Sequence, residues 1–376
     1  MDSEYRKELE VAIGVVKQAA RISQEVLPDQ DKGAIEKDDN LGPVTVGDFA
    51  IQALLTASLH HAFPEDGFVG EEAASALREN AALCERVWGL VQSAGDQDED
   101  GFCTIPASKE DMCDMIDRCQ TAPGPGRVWV FDPIDGTKTF LRREQYAINV
   151  ALLVDGKQTV AVVGCPLLSP DADIERKDTD RPIDNSSVDP TGRGCLLFAV
   201  RSHGTFVQPL LEGGGSNRPA KVVPRKLELH AAAKGAAELR ALRPVTSFFL
   251  QSSALDEVHR AVAAKLGVPF PGGDLVGWVP RWASLAMGLA NMTVWVYYKR
   301  GRHAKIWDHA GAMLLFEEVG GTITDVDGKP LDLLAGRIMT ANFGFVAAAA
   351  DVHGTVLGAV HDVLREQGRL DLLGEN

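Results

Sequence analysis

The chain has 376 residues, more than a single hydrophobic core usually holds, so two domains are the natural expectation. Its formal net charge of −15 makes non-specific binding to nucleic-acid polymers or anionic membranes unfavourable. No apolar run has membrane-spanning length, and the N-terminus lacks the pattern of a secretory signal. We therefore expect a cytoplasmic monomer or homodimer whose six cysteines are free thiols.

Hydrophobic periodicity predicts a mixture of helices and strands along the whole chain. The predicted helices are residues 4–26, 45–61, 254–266, 281–290, 308–319 and 352–366. The predicted strands are residues 68–69, 128–131, 147–154, 160–165, 196–200, 205–207, 245–250, 293–298 and 345–348. Residues 93–111 and 170–194 are polar and are predicted to form irregular surface loops. The flexible stretch 213–216 suggests a boundary between domains of residues 1–215 and 216–376.

The segment Asp132-Pro133-Ile134-Asp135-Gly136-Thr137 directly follows the predicted strand 128–131. Asp-Pro and Asp-Gly are turn signals, so we expect the strand to stop there and Thr137 to open a helix. Two carboxylates then stand at the end of a strand, and oxygen ligands of this kind suit Mg²⁺. Since a helix N-terminus accepts an anion, a phosphate can bind beside the cation. An ordinary acidic turn between a strand and a helix is the alternative.

Other acidic residues also stand at the ends of predicted elements: Asp48, Glu71, Glu72 and Asp308. Each of them has a purely structural alternative. Asp48 can complete a capping box with Thr45, while Glu71 and Asp308 can favour a helix dipole. Their occurrence together with the Asp132–Thr137 segment points instead to one shared site.

Four motifs occur in order along the chain and form a recognisable set. They are Asp48, Gly70-Glu71-Glu72, Asp132 to Thr137, and Trp307-Asp308-His309-Ala310 followed by Glu318-Val319-Gly320-Gly321. With this set the sequence resembles the inositol monophosphatase superfamily of Mg²⁺-dependent, lithium-sensitive phosphatases, over nearly the whole chain. The resemblance implies a mixed α/β fold of α/β/α/β/α layers in two domains, with the active site between them.

Finer features resemble one branch of that superfamily, the 3′(2′),5′-bisphosphate nucleotidases. These features are the segments 43–48, 108–117, 138–147 and 305–310. Members of this branch remove the 3′-phosphate from 3′-phosphoadenosine 5′-phosphate and release AMP. The resemblance therefore implies a small phosphorylated nucleotide as the substrate, with no membrane or nucleic-acid polymer as a partner.

The resemblance also implies roles for the acidic residues. The implied ligands are Glu71, Asp132 and the Ile134 carbonyl for one Mg²⁺, and Asp132, Asp135 and Asp308 for a second. Asp48 and Thr137 would position and deprotonate the attacking water, and a third, weaker metal beside them is left open. The Gly136 and Thr137 amides would bind the phosphate, and Glu72 would orient metal-bound water.

The second half departs from the nucleotidase pattern in the segments that contact the nucleotide in that branch. The implied substrate contacts are Ser252, Ser253, Trp278, Arg281 and Lys305. Arg281 stands where the branch has a lysine, and Trp278 stands where it has a small hydroxyl residue. Trp278 and Trp282 either stack on an aromatic ligand or fill the core. Two alternatives stay open: the same centre retuned to an inositol phosphate or a specialised-pathway intermediate, or a weakly catalytic relative that binds a nucleotide.

Overall fold

The computed structural model describes residues 3–36, 42–98, 100–175, 181–211, 222–228, 241–247 and 254–374. Its helices are α1 Arg6–Val26, α2 Val46–Ala62, α3 Ser75–Glu79, α4 Ala81–Asp96, α5 Lys109–Asp117, α6 Thr137–Leu141, α7 Ala172–Glu175, α8 Asp256–Leu266, α9 Trp278–Ala286, α10 Ala312–Glu317 and α11 Ala350–Glu366. Two 3₁₀ turns cover Ile306–Asp308 and Leu370–Leu372. No helix within the described ranges is long and apolar enough to cross a membrane.

The strands form one large sheet and three small ones. They are β1 Ile35–Glu36, β2 Pro43–Val44, β3 Gly67–Gly70, β4 Arg127–Asp135, β5 Ala147–Val154, β6 Lys157–Cys165, β7 Cys195–Val200, β8 Gly204–Pro209, β9 Arg225–Lys226, β10 Val245–Thr246, β11 Gly273–Asp274, β12 Met292–Trp295, β13 Gly321–Thr324 and β14 Phe345–Ala349. The large sheet runs in the order β3 to β9, and among its described strands only the β3–β4 pair is parallel. A second sheet has the order β12-β14-β13.

The helices and the two main sheets stack in five layers. Helices α1 and α2 pack on one face of the large sheet, and α9 and α10 pack on the other. Helix α10 also contacts β13 of the second sheet, whose strands β13 and β14 pack against α11 and, through it, α8. The order is therefore α/β/α/β/α, which confirms the predicted mixed α/β architecture. The division into two domains at residue 215 stays a prediction, because residues 212–221 lie outside the described part.

Strand β4 carries the acidic segment from the interior of the protein to a cleft. Val128 and Val130 point into the core beneath α9 and α10, while Trp129 and Phe131 point into the core beneath α1 and α2. This alternation is the two-residue period of a strand that is buried on both faces. Because both faces are packed, the end of β4 is held rigidly where its carboxylates emerge.

The turn signals predicted that the strand stops at Asp132, and this prediction is wrong. It continues to Asp135, with Asp132 opposite Asn149, Asp135 opposite Ala147, and an irregularity between the two pairs. Pro133 lies inside this irregular stretch, where its missing N–H removes no regular ladder bond. The Asp-Pro signal therefore marks a bulge rather than the end of the strand.

Several other boundaries differ from the predictions. Residues 93–111 are not wholly irregular: α4 runs to Asp96, Ser108 caps α5, and Phe102 and Ile105 pack against the core. The predicted helix 308–319 is instead a 3₁₀ turn followed by α10, and β13 was not predicted. Helix α9 begins at Trp278 rather than at residue 281. The predicted linker 213–216 and residues 248–250 of a predicted strand lie outside the described residues.

Candidate active site

A pocket of about 300 Å³ opens where the ends of β3 and β4 meet α6, α9 and the 3₁₀ turn 306–308. Its acidic lining residues are Glu71, Asp132, Asp135 and Asp308. Its basic lining residues are Lys138, Arg302, His303 and Lys305, and its aromatic ones are Trp278, Trp295, Tyr297 and Trp307. The pocket therefore combines carboxylates, cations and aromatic rings around one space.

Three of the carboxylates form a tight cluster. Asp132, Asp135 and Asp308 each offer an oxygen atom, and these oxygens lie within 4.8 Å of one another. Burial, and then the neighbouring carboxylates, raises the pKa of Asp132 and of Asp308 well above the usual range. Three like charges this close together, two of them buried and that of Asp308 half-buried, are unstable unless protons or a cation neutralise them. The all-oxygen donor set fits a hard divalent cation such as Mg²⁺ or Mn²⁺.

Asp135 is fixed by a contact from the other half of the chain. Its Oδ2 accepts a hydrogen bond of 2.6 Å from the backbone N–H of Val279, in the first turn of α9. A Cβ at Gly277 would lie 2.6 Å from that same oxygen, so this position has no room for a side chain. Asp135 thus caps the N-terminus of α9 from a segment that is distant in the sequence. This cap explains why the helix begins at Trp278 and not at residue 281, where periodicity had predicted its start.

The turn from β4 into α6 depends on its glycine. Gly136 has φ +92°, and a Cβ there would lie 2.7 Å from Thr139 Oγ1. Asp132 Oδ1 accepts from the Ile134 N–H at 3.1 Å, and the Thr137 hydroxyl donates to the Ile134 carbonyl at 3.2 Å. These bonds close the acidic segment on itself and hold its carboxylates in the pocket.

Glu71 lines the pocket, whereas Glu72 is buried and does not line it. The turn that carries both residues is held by Gln52 of α2. The Gln52 amide donates to the Glu72 carbonyl at 2.7 Å and accepts from the Glu72 N–H at 2.8 Å. Sequence reasoning missed Gln52, although a glutamine one helical turn after Asp48, in the mostly apolar first half of α2, was a readable signal.

Asp48 is fully buried at the start of α2. Its Oδ2 accepts from the Thr45 N–H at 2.8 Å and from the Thr45 hydroxyl at 2.6 Å, so the predicted capping box is confirmed. Its charge also helps to raise the pKa of Asp132, which places it near the acidic cluster. The role of Asp48 in water activation stays a prediction.

The implied substrate contacts divide into three groups. Trp278 and Lys305 line the pocket. Ser252 and Ser253 lie outside the described residues. Arg281 is fully buried and is not part of the pocket lining, so the structure does not place it as a substrate contact.

The buried Arg281 side chain instead supports the pocket wall from behind. Its guanidinium lies 4.1 Å from the Trp278 ring centroid and 4.6 Å from that of Trp295. It donates to the carbonyls of Leu275 at 2.7 Å and Val276 at 2.9 Å. Directional bonds to backbone and two aromatic faces hold this cation in the interior.

The sequence left open whether Trp282 stacks on a ligand or fills the core, and the structure shows that it fills the core. Its side chain is fully buried, and its indole N–H donates to His309 Nδ1 at 3.0 Å. Sequence reasoning also missed two lining cations, Lys138 and Arg302. The signal for Arg302 was the basic stretch 299–305, which directly precedes the Trp307-Asp308 motif.

A layered α/β fold with a carboxylate cluster beside the first turn of a helix is the arrangement of a metal-dependent phosphatase. The chain belongs to the inositol monophosphatase family, whose model matches residues 4–365. Among curated proteins it is 35% identical over 371 residues to the 3′(2′),5′-bisphosphate nucleotidase of Emericella nidulans, covering 96% of this chain and 99% of that one. It is also 35% identical to the enzyme of the same name from Schizosaccharomyces pombe, covering 94% and 95%.

Solved structures agree on the fold. The inositol monophosphatase of Zymomonas mobilis aligns with a TM-score of 0.56 at 16% identity, covering 96% of this chain and 99% of that one. The inositol monophosphatase of Anabaena aligns with a TM-score of 0.54 at 15% identity, covering 96% and 97%. Since the identities are low, these likenesses support the fold and carry no argument about substrate.

The crowded carboxylates predict a stability that depends on pH. Burial raises the pKa of Asp135 to about 7, so the folded metal-free protein retains a proton that the unfolded chain releases above about pH 4. Stability should therefore fall as pH rises from about 4 to 7, because folding then requires proton uptake. A divalent cation should stabilise the protein more at pH 8 than at pH 5. Wherever the cation is present at 100 times its Kd, it stabilises the folded protein by about 2.7 kcal/mol.

Thermal unfolding in EDTA and in MgCl₂ across this pH range measures the effect. Asp308→Asn removes one of the crowded charges and should flatten the pH dependence in EDTA. Asp351→Asn, at an exposed position in α11, should leave it unchanged. Equal stabilisation by Mg²⁺ at pH 5 and pH 8 would contradict the prediction.

Proposed function

We propose that this protein is a Mg²⁺-dependent phosphomonoesterase that removes the 3′-phosphate from 3′-phosphoadenosine 5′-phosphate, giving AMP and phosphate. The observation that carries the proposal is a single pocket that joins a carboxylate cluster to aromatic and cationic walls. A bisphosphate nucleotide has matching parts: a phosphate that reacts, a second phosphate and an aromatic base. The names of the full-length relatives support the same substrate.

The acidic residues have a defined part in the proposed reaction. Asp132, Asp135 and Asp308, with Glu71 beside them, would hold the metal ions. Bound Mg²⁺ would neutralise phosphoryl charge and lower the pKa of a coordinated water. Asp48 would then accept a proton from the attacking water.

The start of α6 would hold the phosphate and orient the nucleophile. The first backbone N–H groups of a helix have no intrahelical acceptor, so the Gly136 and Thr137 amides would hydrogen-bond phosphate oxygens. The Thr137 hydroxyl would orient the attacking water, and Glu72 would support it from behind the pocket surface. These assignments follow the family resemblance and, for Gly136 and Thr137, their position in the pocket lining.

The remaining walls suit the rest of the nucleotide. Trp278, Trp295 and Tyr297 line the pocket although each is buried, and they would form an apolar wall beside the base. Arg302 and Lys138 are exposed at the pocket, and among the described residues neither forms an ion pair. They would bind the phosphate that is not transferred. The six free thiols suit a reducing compartment such as the cytoplasm, and monomer and homodimer are both compatible with the proposal.

A substrate panel tests the proposal directly. Phosphate release with Mg²⁺ should show the highest kcat/KM for 3′-phosphoadenosine 5′-phosphate, ahead of inositol 1,4-bisphosphate and inositol 1-phosphate. Preference for an inositol phosphate would favour the alternative in which the same catalytic centre acts on another substrate. The large Trp278 ring in the pocket wall is the reason to test that alternative. Absence of turnover on the whole panel, with the protein folded, would favour a nucleotide-binding relative.

Removing one clustered carboxylate should nearly abolish turnover. Asp135→Asn and Asp308→Asn should each lower kcat/KM by about 10²–10³-fold, the size expected when one transition-state-stabilising contact is lost. Asp351→Asn provides the matched control, since it removes the same charge from the surface of α11. Circular dichroism checks folding. Retained activity in either cluster variant would show that the cluster does not hold the metals.

The basic wall predicts a selective effect on bisphosphates. Arg302→Ala should raise KM about tenfold for the nucleotide bisphosphate, the value of one charge-assisted contact, with kcat little changed. The same variant should leave KM for a monophosphate substrate nearly constant. Lys299→Ala removes an exposed cation of the same loop that does not line the pocket, so it serves as the control. Equal losses on both substrates would place the second phosphate elsewhere.

A further inference from the structure

Arg337 joins two segments that carry pocket carboxylates and come from opposite halves of the chain. It lies between β13 and β14, and no motif in the sequence singled it out. Its Nη2 donates to the Gly70 carbonyl at 2.7 Å, directly before Glu71. Its Nη1 donates to the Cys119 carbonyl at 2.6 Å, and that carbonyl also accepts from the Gly70 N–H at 3.0 Å. One guanidinium therefore fixes the backbone on which Glu71 stands.

The same residue is bound on its other side to the segment that leads to Asp308. The guanidinium lies 4.8 Å from the ring centroid of Trp307, the neighbour of Asp308. The Arg337 carbonyl accepts from the Ile306 N–H at 3.0 Å. Lys305 also forms an isolated antiparallel bridge with the residue that follows Arg337. Backbone and side chain of Arg337 thus contact both carboxylate-bearing segments.

We infer that Arg337 is a positioning residue that sets the placement of Glu71 relative to Asp308, and thereby the geometry in which the pocket holds its metal ions. The inference rests on the proposed metal-dependent function. The contacts of the side chain explain why this residue is an arginine. A planar fork can donate to two carbonyls while its face lies on an aromatic ring, and a lysine ammonium cannot do all three. Burial lowers the pKa of the half-buried Arg337 guanidinium, and the charges of Cys119 and Glu71 oppose that shift.

Metal binding without substrate tests the inference, because it does not depend on turnover. The probe is Mn²⁺, titrated into metal-free protein and followed by the electron paramagnetic resonance signal of the unbound ion. Arg337→Met keeps the length of the side chain but removes the donors, and should weaken Mn²⁺ binding by about 10–100-fold, as loss of outer-shell partners does. Arg337→Lys retains the charge and one donor, and should fall between wild type and Arg337→Met.

Arg300→Met is the matched control. Arg300 is also half-buried in the second half of the chain, donates to the Leu372 carbonyl at 3.0 Å and packs 4.6 Å from the Phe343 ring centroid. It additionally pairs with Asp327. Its loss should lower the melting temperature and leave Mn²⁺ affinity per folded molecule unchanged, so a general loss of stability is separated from a loss of positioning.

The outcomes separate the inference from the proposed function. Wild-type Mn²⁺ affinity in Arg337→Met, or in Arg337→Lys if the methionine variant does not fold, would overturn the inference alone. An equal loss of affinity in Arg300→Met would also overturn it. A wild-type protein that binds no Mn²⁺ would overturn both the inference and the proposed function. In a phosphate-release assay, the metal concentration for half-maximal activity should rise in Arg337→Met while kcat at saturating metal is largely restored.

Discussion

The mutual repulsion of buried carboxylates at the end of β4 is the constraint on which the rest of the pocket depends. Burial and mutual repulsion both disfavour ionised carboxylates at such short separations. Asp132, Asp135 and Asp308 would therefore move apart if their backbones were free. Two hydrogen bonds oppose that movement. Val279 holds Asp135, and the Asn149 amide donates to the Trp307 carbonyl at 2.6 Å. The fold thus holds the carboxylates close together, and binding of a cation removes the repulsion between them.

The supports of this cluster come from several separate elements of the fold. Gln52 of α2 holds the turn after β3 from one side, and Arg337 holds it from the other. Asn149 lies on β5, directly opposite Asp132 in the sheet. Arg281 stands behind the aromatic wall and fixes the backbone before α9. Gln52 and Arg337 hold the turn that carries Glu71, and Asn149 holds the carbonyl of the residue before Asp308. Arg281 holds the aromatic wall.

Local patterns in the sequence predicted much of this structure. The strand at 128–131 and the capping box of Thr45 and Asp48 both depend on neighbouring residues and were predicted correctly. The layered order came only from the family resemblance, since no local pattern specifies how sheets and helices stack. The start of α9 escaped prediction because its cap, Asp135, is far away in the sequence.

Side-chain direction was the least predictable property. Arg281 occupies a position that implied a ligand contact, but packing between two tryptophans turns it into the interior. Arg302 was missed for the opposite reason, since a basic loop residue looks like ordinary surface until the fold brings it to the pocket. The sequence sets which residue types are present near a site, whereas tertiary packing decides which of them face it.

Asp135 contacts both the acidic cluster and the first turn of α9. It therefore links ligand binding at the cluster to ligand binding at the aromatic wall. One side of its carboxylate faces the acidic cluster, and the other accepts from the first turn of α9, which carries Trp278 into the pocket wall. Any ligand that reorients this carboxylate therefore also shifts the aromatic wall. By thermodynamic reciprocity, whatever stacks on that wall must in turn change the affinity of the acidic cluster for its own ligand, by the same factor.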